Sequence, residues 1–177
     1  MRIISGTCRG KIIMPPRDFH ARPTTDFAKE SLFNILANRY NFSSIRALDL
    51  FAGSGSIGFE LASRGCPHIE AVEMNAKQIA FIKKTAAELG FDQLHAVRLN
   101  VFDFLEICTA EYDLIFADPP FSLSGVDTLP SRLTEKILKP GGCVVLEHAA
   151  HYDFGVVPYY MERRQYGAVH FSFFVKP

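Results

Sequence analysis

The stretch that decides the fold is DLFAGSGSIGFE, Asp49 to Glu60. Its three glycines, Gly53, Gly55 and Gly58, match the pattern G-x-G-x-x-G. The stretch follows the apolar run IRALDLF and opens the helical pattern SIGFELASRG, so it predicts a strand, a glycine loop and a helix. Such a loop lets the backbone approach a bound nucleoside cofactor closely, because glycine has no side chain.

Outward from this loop, apolar strand patterns alternate with amphipathic helix patterns. Further strands are predicted at HIEAVEM, LHAVRLN, YDLIFA and CVVLEH, and further helices at AKQIAFIKKTAAELG and LPSRLTEKIL. This alternation is typical of an α/β fold with a mostly parallel sheet and helices on both faces. The segments YYMERRQ and AVHFSFFV flank the turn YGA, and they predict an antiparallel C-terminal strand at or near the sheet edge.

Two acids bear on the cofactor: Glu73 indicates a nucleoside, and Asp49 discriminates between two kinds of nucleoside cofactor. Glu73 lies 20 residues after Gly53, at a strand end, where a carboxylate accepts hydrogen bonds from ribose hydroxyls. Asp49 lies four residues before Gly53, where its charge repels a dinucleotide pyrophosphate and attracts the sulfonium and ammonium groups of S-adenosylmethionine. Charges about 4 Å apart at an effective dielectric constant of about 20 interact by roughly 4 kcal/mol. The sign favours S-adenosylmethionine; the alternative for Asp49 is a hydrogen-bonded structural acid.

Three further residues at strand ends complete the candidate cofactor site. Asn100 follows the third predicted strand, and its amide is expected to hydrogen-bond the adenine edge, to cap a helix, or to do both. Phe51 and Met74 end the first two predicted strands and join the candidate set.

The fourth predicted strand ends in FADPPFS, Phe116 to Ser122. Asp118 offers a carboxylate, and the backbone carbonyl of Pro119 offers a second acceptor whose direction the prolines restrict. Two acceptors can orient an exocyclic nucleobase amine for attack on a methyl group, while the ring of Phe121 stacks on the base. The base would have to leave its stack to reach this pocket. The alternative is a proline turn with a surface acid and a core aromatic.

Charge is unevenly distributed, although the net charge is zero. Residues 1–46 carry eight basic and three acidic residues, a net +5, so the remainder is net −5. We interpret this as a basic arm on an acidic body, with chance solvation of a short segment as the alternative. RII and KIIM around SGTCRG predict a small β-hairpin within residues 1–24. The candidate phosphate contacts are Arg2, Arg9, Lys11 and Arg22.

Composition sets the remaining expectations. The 177 residues, 48% hydrophobic and 21% charged, predict a single domain over residues 1–177 with a sizeable core. The charged N-terminus and the lack of an apolar run of about 20 residues predict neither a signal peptide nor a membrane span. Scattered cysteines and histidines predict reduced thiols, a cytoplasmic protein and no metal site.

Several stretches together carry a family resemblance: RIISGTCRGKII, ARPTTDFAKESLFNIL, DLFAGSGSIGFELASRG and DPPF. DLFAGSG with DPPF is similar to class I S-adenosylmethionine-dependent methyltransferases that methylate amines. The full combination resembles the bacterial small-subunit ribosomal RNA guanine-N2 methyltransferase family over essentially the whole chain. The sequence departs from that family at Phe121, where many members have tyrosine, and in its neutral charge, which is low for an RNA enzyme.

The resemblance implies a Rossmann-like, seven-stranded methyltransferase sheet. It places S-adenosylmethionine at the Gly53–Gly55 loop, with Glu73 on the ribose and the Asn100–Val101 turn beside the adenine. It implies methylation of guanine N2 in small-subunit (16S) ribosomal RNA, with S-adenosylhomocysteine as product and the basic hairpin near the RNA. We expect a monomer. We also expect assembled ribonucleoprotein to be a better substrate than naked RNA, because the rest of the chain is net acidic.

Other functions stay open from sequence. DNA adenine-N6 or protein glutamine methylation would use the same DPPF motif, and a dehydrogenase would use the same glycine pattern. A non-catalytic RNA-binding module could retain the fold. Binding of S-adenosylmethionine discriminates the last two from a methyltransferase.

Overall fold

The computed structural model describes residues 1–17, 19 and 25–177. Its seven strands are β1 (Arg46–Leu50), β2 (His68–Glu73), β3 (Leu94–Arg98), β4 (Tyr112–Ala117), β5 (Leu138–His148), β6 (Tyr160–Tyr166) and β7 (Val169–Val175). The α-helices of the described residues are α1 (Asp26–Ala37), α2 (Ser56–Ser63), α3 (Ala76–Leu89), α4 (Val101–Ile107) and α5 (Leu129–Lys136).

The strands form one sheet in the order β3-β2-β1-β4-β5-β7-β6. Strands β1 to β5 pair in parallel, whereas β7 pairs antiparallel with both β5 and β6. The predicted mostly parallel sheet with an antiparallel C-terminal strand is therefore confirmed. Strand order reverses between β1 and β4, and ligands bind such sheets in the crevice outside the carboxyl ends of the strands at that point.

Two apolar cores cover the two faces of the sheet. Alternate residues of β4 enter different cores: Leu114 and Phe116 pack with residues of α1, α2 and α3, whereas Ile115 and Ala117 pack with residues of α4 and α5. Side chains on a strand alternate between the faces, so a strand buried on both sides reads as a continuous apolar run. We call these two surfaces of the sheet the α2 face and the α4 face.

One strand begins earlier than its sequence suggests. CVVLEH predicts a strand from Cys143, but β5 begins at Leu138 and includes the KPGG segment. The ladder with β4 shifts register between Tyr112 and Leu114, so the proline and glycines lie in an irregularity of the pairing. A Cβ on Gly142 would lie 2.8 Å from the Lys139 carbonyl oxygen, which explains a glycine there.

The predicted N-terminal hairpin is not confirmed. In the part of residues 1–24 that the structure describes, Arg2 and Ile12 form an isolated antiparallel bridge and belong to no strand. Around it the amide of Ile3 donates to the carbonyl of Lys11 over 2.9 Å. The predicted division of residues 1–24 from the rest as an arm stays a prediction, and part of that range lies outside the described residues.

Within the described ranges, no helix is long and apolar enough to cross a membrane.

Candidate active site

Four carboxylates gather at the carboxyl edge of the sheet. Asp49, Glu73 and Glu147 belong to β1, β2 and β5, and Asp118 directly follows β4. In each case the preceding residue packs in the core of the α4 face, so strand alternation directs these four side chains to the α2 face. The structure thus brings together the three acids that the sequence indicates and adds a fourth.

Sequence reasoning missed Glu147. Its signal is the end of CVVLEH, where an acid follows a continuous apolar run at the carboxyl end of a predicted strand. Asp118 stands out because prolines follow it, whereas Glu147 precedes ordinary residues. The side chain of Glu147 is nonetheless buried, with 8% of the residue exposed.

The glycine loop is fastened by two of these acids. The Oδ2 atom of Asp49 accepts a hydrogen bond from the amide of Gly58 over 3.1 Å. The carboxylate of Glu73 accepts from the amide of Gly53 over 3.0 Å and from the amide of Asn75 over 2.8 Å. Glu73 therefore holds the loop and the start of α3 together, in addition to any role toward a ribose.

Both loop glycines have a positive φ, but they differ in what an added side chain would contact. Gly55 has a φ of 79°, and a Cβ there would lie 2.9 Å from the side chain of Ile82. At Gly53, with a φ of 55°, the nearest atom to such a Cβ would be the Phe51 carbonyl oxygen at 3.9 Å. Gly55 is thus needed for packing and conformation, whereas the space beside Gly53 is open to a ligand.

Burial and mutual repulsion favour the neutral forms of two of the acids. Burial, followed by the charge of Glu73, raises the pKa of Asp49 to about 7, although the amide of Gly58 opposes the shift. Burial also raises the pKa of Asp118 well above its usual value, and the charges of Glu147 and Asp49 add to the effect. A cation bound among these groups would relieve both shifts, so the site fits a positively charged nucleoside cofactor.

The DPPF segment is tied directly to the glycine-loop strand. The amide of Asp118 donates to the carbonyl of Leu50 over 3.3 Å. Asp118 therefore lies beside the end of β1, where the glycine loop begins. Pro119 is buried, whereas Phe121 is 71% exposed. An exposed ring beside a fixed carboxylate can stack on a planar ligand that arrives from solvent.

The proposed adenine neighbours have different environments. Asn100 caps α4, since its side chain accepts from the amide of Phe102 over 2.8 Å. The helix-cap alternative therefore holds, and a contact with adenine stays a prediction. Val101 is buried, Phe51 is half-buried with a φ of 58°, and Met74 is 65% exposed.

Residues 1–11 dock on α2, and we call them the docked segment. The two carboxylate oxygens of Glu60 accept from the amides of Ile4 and Ser5 over 2.7 and 3.1 Å. The carbonyl of Ser63 accepts from the amide of Thr7 over 2.8 Å. This docked segment also contacts the glycine loop, where the hydroxyl of Ser54 lies 3.4 Å from the sulfur of Met1.

The candidate RNA contacts belong largely to this docked segment. Arg2, Arg9 and Lys11 are exposed, and Arg2 lies 3.8 Å from a carboxylate oxygen of Asp26. Arg2 and Arg9 both line an open recess. Arg22 lies outside the described residues.

The histidines near the site take part in hydrogen bonds of the sheet. His148 is buried, and its Nε2 lies 2.8 Å from the hydroxyl of Ser172, while its Nδ1 lies 2.9 Å from the carbonyl of Ala149. Burial lowers the pKa of His148 and favours the neutral ring.

Among the residues that the structure describes, no group of three or more histidines, cysteines and acids is arranged to hold a metal ion.

Comparisons with known proteins identify the family and the fold. The family model described as conserved hypothetical protein 95 matches residues 1–175. A ribosomal RNA small subunit methyltransferase D from Buchnera aphidicola is 32% identical over 148 residues, which are 83% of this chain and 75% of that protein. The yhhF protein of Escherichia coli is 27% identical with a TM-score of 0.86, covering 100% of this chain and 99% of that one.

A further solved structure shares the fold. It is an RNA methyltransferase from Salinibacter ruber in complex with S-adenosyl-L-homocysteine. That chain is 19% identical with a TM-score of 0.68, and the match covers 88% of this chain and 94% of that one.

Proposed function

The chain belongs to the conserved hypothetical protein 95 family, which includes the ribosomal RNA small subunit methyltransferase D proteins, and from this premise we propose guanine N2 as its target. The protein is a class I methyltransferase whose cofactor is S-adenosylmethionine, and its substrate is small-subunit ribosomal RNA. The finer proposal is transfer of a methyl group to the exocyclic N2 amine of a guanine in that RNA. We further propose that it acts as a monomer in the cytoplasm.

The observation that carries this proposal is the hydrogen bond between Asp118 and Leu50. It fixes the acid of the DPPF segment beside the strand that opens the glycine loop. This supports our proposal that an acceptor for the amine and acidic groups for a cationic cofactor belong to neighbouring strand ends. This is the arrangement that a direct transfer between an amine and a sulfonium needs.

Asp118, Pro119 and Phe121 have separate roles in the proposed reaction. The carboxylate of Asp118 and the carbonyl of Pro119 accept from the N–H groups of the target amine and favour the pyramidal geometry that frees its lone pair. The ring of Phe121 stacks on the guanine, which must leave its RNA stack to enter. When bound, S-adenosylmethionine supplies the electrophilic methyl group. Catalysis then rests on positioning and electrostatics, without a covalent enzyme intermediate.

Methylation of small ribosomal subunits tests the proposal. Subunits that lack the modification are incubated with the protein and labelled S-adenosylmethionine, and the RNA is digested to nucleosides. We expect the label in N2-methylguanosine. Label in N6-methyladenosine, or in protein glutamine, would assign the enzyme to another amine. No binding of S-adenosylmethionine would indicate a non-catalytic module.

The first prediction concerns Glu73, the proposed partner of the cofactor ribose. Glu73→Ala removes charge-assisted hydrogen bonds, and we expect cofactor affinity to fall by about 1.5–3 kcal/mol in calorimetry. Replacement of Glu111, an exposed acid before β4, is the control and should change nothing. An analogue that lacks the ribose hydroxyls should bind wild type and Glu73→Ala alike. If the analogue loses affinity to the same extent, Glu73 acts through the loop amide of Gly53 instead.

The second prediction concerns the basic residues of the docked segment. Replacing Arg9 and Lys11 by glutamine should weaken RNA binding and lower the slope of log affinity against log salt by about one for each phosphate that is no longer neutralised. Cofactor affinity should stay constant. The matched control replaces Lys83 and Lys84, two exposed lysines of α3, and should keep the slope. An unchanged slope in the Arg9/Lys11 variant would make these residues ordinary solvated surface.

We also propose that assembled ribonucleoprotein is the better substrate. Beyond residue 46 the chain is net −5, so its body is repelled by exposed RNA, and the +5 segment alone attracts phosphates. Equal methylation rates on naked RNA and on small subunits would contradict this preference.

A further inference from the structure

Lys29 of α1 is a buried lysine that the proposed reaction does not use. Only 1% of the residue is exposed, which is rare for a lysine. Its Nζ donates to the carbonyl of Arg2 over 2.7 Å and to the hydroxyl of Ser56 over 3.0 Å. Burial lowers the pKa of Lys29, and the nearby carboxylate of Glu60 opposes the shift. A buried ammonium is tolerated only with such partners, so these bonds fix its position.

The two bonds of Lys29 join the docked segment to the glycine loop. Ser56 is the first residue of α2 and directly follows Gly55. The backbone of Arg2 is held from α1 at both of its polar groups, because its amide donates to a carboxylate oxygen of Asp26 over 3.3 Å and its carbonyl accepts from Lys29. One side chain thus fixes where the docked segment lies relative to the end of the loop.

The docked segment contacts the loop and also carries the candidate RNA contacts. The sulfur of Met1 lies 3.4 Å from the hydroxyl of Ser54, within the loop. Arg2, Arg9 and Lys11 of the same segment are exposed to solvent. A displacement of the segment would therefore disturb the proposed RNA surface and the loop together.

We propose that Lys29 is a positioning residue that keeps the docked segment and the glycine loop in one fastened arrangement, which both the cofactor and the RNA require. This inference rests on the RNA contacts assigned in the proposed function. Segments at a chain terminus readily detach by local opening unless they are tied down. In the wild type the buried bonds keep nearly all molecules fastened, so each ligand meets a site that is already in place.

Weakening this link should lower cofactor affinity, although Lys29 is too deeply buried to touch a ligand. Lys29→Met keeps a long side chain but removes the ammonium, so the docked segment detaches in a fraction of the molecules. The apparent dissociation constant rises as the fastened fraction falls, and we expect it to increase roughly fivefold or more. Bound RNA should restore most of the affinity, because it selects the fastened molecules.

Calorimetry with S-adenosylhomocysteine measures the first effect, at a temperature well below unfolding. Ser56→Ala is a milder variant that removes one acceptor and leaves the ammonium in place, so it keeps the test valid if Lys29→Met fails to fold. It should lose less affinity than Lys29→Met. The matched control is Thr134→Val in α5, which removes a buried hydroxyl that donates to the carbonyl of Ser131 over 3.1 Å. That variant should bind the cofactor product like the wild type.

Binding to small subunits that lack the modification measures the second effect. Cosedimentation of labelled protein gives its affinity for subunits with and without saturating S-adenosylhomocysteine. The ratio of the two affinities should be larger in Lys29→Met than in the wild type, with Ser56→Ala between them, because each ligand selects the fastened molecules for the other. A residue that only touched the cofactor, or only stabilised the fold, would leave this ratio unchanged.

The outcomes separate this inference from the proposed function. Wild-type protein that binds S-adenosylhomocysteine but not small subunits would overturn the proposed function and the inference with it. If the wild type binds both, and Lys29→Met and Ser56→Ala bind the cofactor product as tightly, only the inference is overturned. Weaker cofactor binding in these variants with the wild-type ratio would also refute it, since the loss would then not pass through the docked segment.

Discussion

Replacement of Asp118 by alanine is expected to slow single-turnover methyl transfer by about 10²–10³-fold, the usual cost of losing a positioned electrostatic group. The variant keeps the Pro119 carbonyl and the Phe121 ring, so the base can still enter but is misplaced. Cofactor affinity should change much less, because Asp49 and Glu73 remain. The measurement is transfer of label to modification-free small subunits, with enzyme in excess and cofactor binding checked in the same preparation.

The control for Asp118 lies on the same connection between β4 and α5. Asp127 is an exposed acid in a short 3-10 helix, so Asp127→Ala removes a charge from this connection but changes none of the proposed amine-binding residues. That variant should transfer methyl at the wild-type rate. If Asp118→Ala folds, binds cofactor and keeps the rate of Asp127→Ala, the DPPF segment is only the turn that ends a strand.

Replacement of Glu60 by alanine is expected to lower the free energy of unfolding by about 3–5 kcal/mol, the cost of removing one member of a buried ionic network. The Glu60 side chain is fully buried and accepts from the Nε of Arg64 over 2.8 Å as well as from the amides of Ile4 and Ser5. Close by, the Nζ of buried Lys29 donates to the hydroxyl of Ser56 over 3.0 Å. Alanine would leave buried donors and positive charge without their acceptor.

Urea unfolding measures this loss against a matched ion pair. Lys84 and Glu88 of α3 are four residues apart and well exposed, so Glu88→Ala should cost no more than about 1 kcal/mol. Hydrogen exchange should be faster at the amides of Ile4 and Ser5 in Glu60→Ala than in Glu88→Ala. Two variants of equal stability would show that the buried bonds of Glu60 contribute no more to stability than an exposed ion pair.

The sequence predicts the central sheet well because its signals are local. YDLIFA is confirmed as β4 residue for residue, since an apolar run bounded by polar residues fits a strand buried on both faces. Helix α3 ends at Gly90 in the left-handed conformation, as its final glycine predicts. The acids of the glycine loop and of DPPF are recognisable for the same reason, because each follows an apolar run directly.

Features that depend on distant contacts could not be predicted from these patterns. Glu60 looks like an ordinary helical acid, and its role follows from amides more than 50 residues earlier in the chain. Glu147 joins the other acids because β4 and β5 are neighbours in this particular register. The N-terminal pattern predicts a hairpin, but the Arg2–Ile12 bridge is accompanied by bonds to α2, which compete for the same backbone groups.

The position of β7 between β5 and β6 has a consequence for synthesis of the protein. The ribosome makes β6 first, yet β6 joins the sheet by pairing with β7, which is made afterwards. Until residues 169–175 emerge from the exit tunnel, β5 presents an open edge of backbone donors and acceptors beside an apolar core. The nascent chain therefore passes through a stage in which a strand from another molecule could pair with β5 in place of β7. The sheet is completed only after residues 169–175 have left the ribosome.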